Sequence, residues 1–277
     1  MGGFFGFFDY SKPGVGISKD EPKKTGIFLF FELYFRKFWN LIKLNLLFSV
    51  FNIPALIISF IGTAFYFSSA FSKDPAQEFG MRIFFTCIFL SLTMITTGPA
   101  QAGMTYILRN FVQEEPSFLW WDFRDTAKSN FKQSSIICLI DIFLTIMFGI
   151  SINLYNQLSN TYNFMFIFIP MVLLAFIIFV LMHLYIYPML VTFELTIKQI
   201  YKNAFLFAIS KLLPNLGIVI LCLIVVYLSF SYWVVGLILF PLITASTVGF
   251  IVNFYVNPIL KKYMMDEPEE EGTEEEA

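Results

Sequence analysis

Residues 164–190 read FMFIFIPMVLLAFIIFVLMHLYIYPML, and His183 is the one side chain in that run that titrates near neutral pH. A helix needs roughly twenty apolar residues to cross the hydrocarbon of a bilayer. In lipid it must also satisfy its own backbone, which excludes irregular chain or an open sheet edge. Five more apolar runs follow the same logic, at 44–67, 83–108, 136–154, 216–228 and 233–256. The fold class expected is therefore all-α: a polytopic transmembrane helical bundle of about six spans, with amphipathic surface helices on the cytoplasmic side.

The composition agrees. Hydrophobic residues make up 57% of the chain and charged residues 14%, with a mean hydropathy of +0.72. A soluble domain is nearer one quarter charged and could not bury this much apolar surface. Cys87, Cys138 and Cys222 each fall in an apolar run without CxxC spacing, so they are expected to be small core residues. The first ten residues are too short and too poorly flanked for a signal peptide, and Gly6 stands where a myristoylation pattern needs Ser or Thr.

Between the spans lie three segments with helical amphipathicity, at 27–43, 116–132 and 194–213. In the second, Leu119, Trp120, Phe123, Ala127 and Phe131 share one face, and Asp122, Arg124, Asp125, Lys128, Ser129 and Lys132 the other. Aromatic and cationic residues divided this way favour a helix lying along a membrane surface. Glu114 and Glu115 before Pro116 suit the start of that helix. In the third, Lys198, Gln199, Lys202 and Asn203 form the expected polar side. Residues 1–26 read as an irregular arm and 259–277 as an acidic disordered tail, with eight acids and no base after Met265.

Charge placement sets the expected topology. Of 18 Lys and Arg, only Lys73 and Arg82 fall on connections assigned to the outside. By the positive-inside rule both termini are then cytoplasmic, which requires an even number of crossings. The layout also repeats. Residues 27–108, 116–190 and 194–256 each run through an amphipathic helix, an outward span, a short turn and a returning span with a proline. Parallel repeats are a known way to build membrane bundles, and general packing rules would give the same layout.

Three stretches carry a resemblance. They are the N-terminal FFDYSKPGVGISKDEPKKTGIFLFFELYFRKFWNLIKLNLLF, the block GPAQAGMTYILRNFVQEE, and WWDFRDTAKSNFKQ. These resemble the YesL-like family, a domain-of-unknown-function family of Gram-positive bacterial integral membrane proteins. The resemblance covers most of the chain and is densest over its first half. It implies a multi-pass protein of the bacterial cell membrane with no established activity, and a place near carbohydrate uptake systems, with a permease among the expected partners.

Enzyme signatures are few. A single histidine excludes HExxH and paired-His metal sites, and there is no GxxxxGK[ST] phosphate loop. Gly14-Val15-Gly16 follows no strand, and the SxxK match at Ser129–Lys132 lacks its companion motifs. No catalytic residues, metal ligands, cofactor or nucleic-acid partner are expected, and the lipid bilayer is the environment. The distinctive residues lie inside the spans. Asp141 is about 12 Å beyond Lys132 at the helical rise, and His183 a similar climb back from Leu190. Asn52, Thr97, Gln101, Ser246 and Thr247 come out near the same depth, giving an expected intramembrane polar layer, with a helix break at Gly98 and Pro99. A carboxylate at that depth needs a partner, and His183 is its natural one. The layer reads either as the lining of a path for a polar solute or proton, or as groups that satisfy one another and hold helices together.

Overall fold

The structure is a computed structural model and describes residues 25–66 and 75–265. The expectations for the N-terminal arm up to residue 24, for 67–74 including Lys73, and for the acid-rich residues 266–277 lie outside the described residues. Among the described residues every regular element is helical. Two compact units are distinguished, Met1–Arg36 and Lys37–Ala277.

The first unit contributes α1 (Gly26–Arg36), which opens on Gly26 at φ 61° and ends where Lys37 leaves helical geometry. The amphipathic helix expected over 27–43 is thus shorter. Its Phe31 and Phe35 rings stack at 6.2 Å and stay exposed, and Glu32 and Arg36 pair one turn apart at 4.0 Å.

In the second unit the first span is a bent pair, α2 (Phe38–Phe51) and α3 (Ile53–Tyr66), at 51°. Pro54 supplies no N–H to the preceding turn, and its ring crowds the carbonyl there. Asn52 absorbs the bend at φ −92°, ψ 0°, with its amide bonded to the Phe48 carbonyl at 2.9 Å. Then comes α4 (Pro75–Val112). The polar connection expected over 68–82 is therefore helical from Pro75, which suits a first helical position, and Glu78 and Arg82 pair at 2.5 Å.

The expected helix break at Gly98 and Pro99 is not an interruption, for α4 runs through both residues. Its neighbours explain the glycine. A Cβ on Gly98 would stand 2.5 Å from the Ser134 carbonyl oxygen, so α4 and the helix carrying Ser134 meet backbone to backbone there. Gly103 is pressed in the same way, 2.7 Å from the Phe123 carbonyl.

The chain continues through α5 (Leu119–Ser129) and α6 (Phe131–Ser159) to α7 (Phe168–Thr192), which a short 3-10 turn at Asn163–Ile167 precedes. α8 (Ile197–Ser210), α9 (Leu212–Ser229) and α10 (Trp233–Leu239) follow. A π-helical turn, Phe240–Thr244, leads into α11 (Ala245–Leu260). Several boundaries differ from expectation. α5 starts at Leu119 rather than Pro116, and Asp122 at its start accepts the Phe118 N–H at 2.7 Å. α6 extends to Ser159, leaving a turn of only 160–162. Residues 259–265 are helical, so the tail begins later than 259.

α5 and α6 are separated by one non-helical residue, Asn130 (φ −94°, ψ 8°), and α8 and α9 likewise by Lys211 (φ −121°, ψ 37°). The returning helices α4, α7 and α11 each contain a proline, at Pro99, Pro188 and Pro258. Among the described residues four helices are long and apolar enough to cross a membrane, or five if the bent α2–α3 pair counts as one. α4, which holds the expected 83–108 crossing, is not in that count.

Only 11–28% of the four spans' apolar windows is buried inside the protein. Their apolar faces are therefore surface and not core. The packed interior gathers instead at one end of the bundle, from Ala102 of α4, Leu184–Leu190 of α7, Ile200 and Ala204 of α8, and Val256 and Leu260 of α11. α6 buries only Ser134, Ser135, Ile137 and Cys138 near its start, and α9 only Asn215. That end holds the protein together and carries its polar chemistry.

Candidate functional site

Asp141 sits in the third turn of α6, facing α7. Its Oδ2 lies 3.1 Å from His183 Nε2. The other imidazole nitrogen, Nδ1, is 2.8 Å from the carbonyl oxygen of Phe179, one turn back on α7. A carbonyl only accepts, so Nδ1 carries a hydrogen; otherwise two lone pairs would face each other. Nε2 then meets the carboxylate either as a second N–H or as acceptor from a protonated carboxyl. In both cases the pair shares one proton. The Phe179 ring stands edge-on to the imidazole at 4.5 Å between centroids and shields it.

A third member comes from α8. Tyr201 donates its hydroxyl to Asp141 Oδ1 at 2.8 Å. Burial, and then the Asp141 charge beside it, holds this phenol well above its usual range, so it remains a donor. Both carboxylate oxygens are thereby engaged. α8 owes its position to a capping box, in which Thr196 and Gln199 bond each other's backbone N–H groups, and to Ile200, Ala204 and Ala208 buried on its inner face.

Two further hubs lie nearby. Asn215, fully buried at the start of α9, accepts from Tyr185 of α7 at 2.6 Å and Tyr255 of α11 at 2.8 Å. Its amide donates to the Phe207 and Ala208 carbonyls at 3.0 and 3.3 Å, in the last turn of α8, where carbonyls run short of intrahelical donors. Asn45 of α2 donates to the Phe240 carbonyl at 2.6 Å and accepts the Ser246 N–H at 2.7 Å. Those backbone groups flank the π-helical turn that Pro241 occupies, where the α-helical ladder is broken. Arg109 closes the packed end, donating to the Val191 carbonyl at 3.2 Å at the negative end of α7.

The expected polar residues are thus distributed unevenly. Asp141 and His183 come together with Tyr201. Ser246 is joined to Asn45, with Thr247 beside it on α11, while the Asn52 amide bonds within its own turn. Thr97 and Gln101 are half-buried on α4 and make no side-chain hydrogen bond to either group. Sequence reasoning missed Tyr201, Asn45, Asn215, Tyr185 and Tyr255. Asn45 and Asn215 carried a signal, each an amide just inside an apolar helix. Tyr201 carried none, since its hydroxyl looks inward from a helix read as superficial. Among the described residues no group of three His, Cys, Asp or Glu is arranged to hold a metal.

Residues 41–154 match the family model described as "Protein of unknown function, DUF624". This segment resembles the YesL-like family. The resemblance is borne out over that part of the chain, and the family's own description assigns no activity. The YesL-like segment takes in α2 through most of α6, including Gly98, Pro99 and Asp141, whereas His183 and Tyr201 lie beyond it. No curated protein and no solved structure matches the chain.

Proposed function

We propose that this protein is an accessory or regulatory component of the bacterial cytoplasmic membrane that works by associating with other membrane proteins. The supporting observation is the way Asp141 and Asn45 spend their bonds on neighbouring helices. Asp141 uses both carboxylate oxygens on His183 and Tyr201, and Asn45 spans α2 and the π-helical turn. Groups arranged so fasten helices, while the buried side-chain oxygens of Asn52, Thr96, Ser135 and Asn253 have no hydrogen-bond partner. The six-span topology with both termini cytoplasmic belongs to the same proposal, and the charge asymmetry supports it. Carbohydrate permease subunits are the proposed partners on the strength of the family resemblance. Purification in mild detergent followed by partner identification tests this. Recovery of permease subunits is the expected result, and a protein that comes out alone after cross-linking in cells removes the proposal.

A second reading has one specific observation in its favour: the proton shared by Asp141 and His183. In that reading the pair passes a proton or small solute across the bilayer. Flux into liposomes that vanishes in Asp141→Asn would establish it, and unchanged flux in that variant would dismiss it.

A further inference from the structure

The outer face of α8 is not the polar face its sequence promises. Lys198 and Lys202 are exposed, yet so are Phe205 at 44%, Leu206 at 55% and Ile209 at 47%, and all five lie in one stripe along the helix. At 100° per residue these positions fall within about a quarter of the circumference. The stripe has cations at its beginning and bulky apolar side chains at its end. Past the joint at Lys211 it runs into Leu213, 77% exposed, and on to Ile220 and Ile224 of the apolar span α9.

The position of α8 is well determined. Tyr201 near its start reaches Asp141, which bonds His183, and Phe207 near its end stacks on Tyr185 at 5.2 Å. Two points of α8 six residues apart are thus held, the first to α6 directly and to α7 through Asp141, the second to α7 directly. Its sequence, IKQIYKNAFLFAIS, holds two lysines and no acid. The capping box is closed by neutral Gln199 where a glutamate would have offset the positive end of the helix dipole.

We propose that this stripe is a binding surface for anionic phospholipid, with the headgroup phosphate on Lys198 and Lys202 and the acyl chains along Phe205, Leu206, Ile209 and Leu213. Two observations favour lipid over a soluble partner. The apolar part leads at Lys211, whose ammonium lies over the Tyr263 ring, into the exposed apolar residues of α9, and Lys198 and Lys202 stand together at the other end, as an interfacial helix requires. Because Tyr201 projects from the inner face of the same helix, lipid at the stripe bears on the Asp141–His183 pair through a single hydrogen bond.

The test uses the full chain in nanodiscs of equal phosphatidylglycerol and phosphatidylcholine, with the lipids that remain bound read by native mass spectrometry. The wild type is expected to retain phosphatidylglycerol preferentially. Lys198→Gln with Lys202→Gln should lose that preference, by about fivefold for each lysine, while Lys198→Arg with Lys202→Arg keeps it. Equal retention of the two lipids by the wild type overturns the proposal, as does a preference unchanged in the glutamine variant. A photoreactive group at Phe205 that cross-links a protein rather than lipid in intact membranes overturns it too.

Discussion

Asp141 Oδ2 and His183 Nε2 stand 3.1 Å apart, joining the helix that leaves the packed end of the bundle to the one that returns to it. The contact also sets which groups must be protonated, since the His183 Nδ1 is committed to the Phe179 carbonyl. Asp141→Asn removes the charge but keeps an acceptor for Tyr201. Breaking a fully buried pair costs about 3–5 kcal/mol. The His183 side chain is 32% exposed, so a loss of about 1–3 kcal/mol is expected here. Thermal unfolding in detergent measures it, and an unshifted midpoint would mean the pair contributes nothing to stability.

Tyr201→Phe removes one hydrogen bond to a charged acceptor and should destabilise by about 1.5–3 kcal/mol. The effect should be local, appearing as faster amide exchange in α8 than in α9. Exchange that rises equally in both helices would contradict an anchor specific to α8.

The same phenol gives a pH dependence with a definite sign. Folding raises its pKa above the ordinary 10.0, so its contribution is fully present below about pH 10 and is lost as the pH rises further. Stability should fall in alkali more steeply for the wild type than for Tyr201→Phe. Parallel alkaline profiles would assign the fall to other groups.

Asn215→Leu removes the shared acceptor of Tyr185 and Tyr255 and a donor to the end of α8 at once, with an expected cost of about 2–4 kcal/mol. Adding Tyr185→Phe and Tyr255→Phe to that variant should recover part of the loss, because the orphaned groups then disappear together. If the triple variant is less stable than the single one, the hydroxyls have other partners.

Gly98→Ala and Gly149→Ala should move stability in opposite directions. At Gly98 the new methyl meets the Ser134 carbonyl at 2.5 Å, and forcing α4 from α6 costs about 1–3 kcal/mol. At Gly149 nothing lies within 4 Å, and replacing a helical glycine is worth up to about 1 kcal/mol in favour of the fold. Unfolding midpoints of the two variants provide the comparison, and shifts of the same sign would show that the α4–α6 approach is looser than described.

Much of this architecture is legible in one dimension because lipid imposes a simple rule on it. A run such as 164–190 has to be a helix, and Pro54 after Asn52 has to disturb one. Boundaries were less legible, since a hydrogen bond such as that from the Phe118 N–H to Asp122 is local chemistry that hydropathy does not see. Pro99 shows the limit from the other side. It signals a disturbed helix, yet α4 continues past it, pressed against the α6 backbone at Gly98.

The amino-acid order by itself determined that the chain is helical, that several of its helices are apolar enough to cross a membrane, and that Asp141 needs a partner such as His183, because burying a bare charge in hydrocarbon is prohibitive whatever the fold. Only the tertiary structure decided that Tyr201 takes the second oxygen of Asp141 and that Asn45 meets Ser246. Hydrogen bonds act over about 3 Å, and residues as far apart in the chain as Asp141 and Tyr201, or Asn45 and Ser246, are brought within that distance by helix crossing and not by any spacing in the sequence.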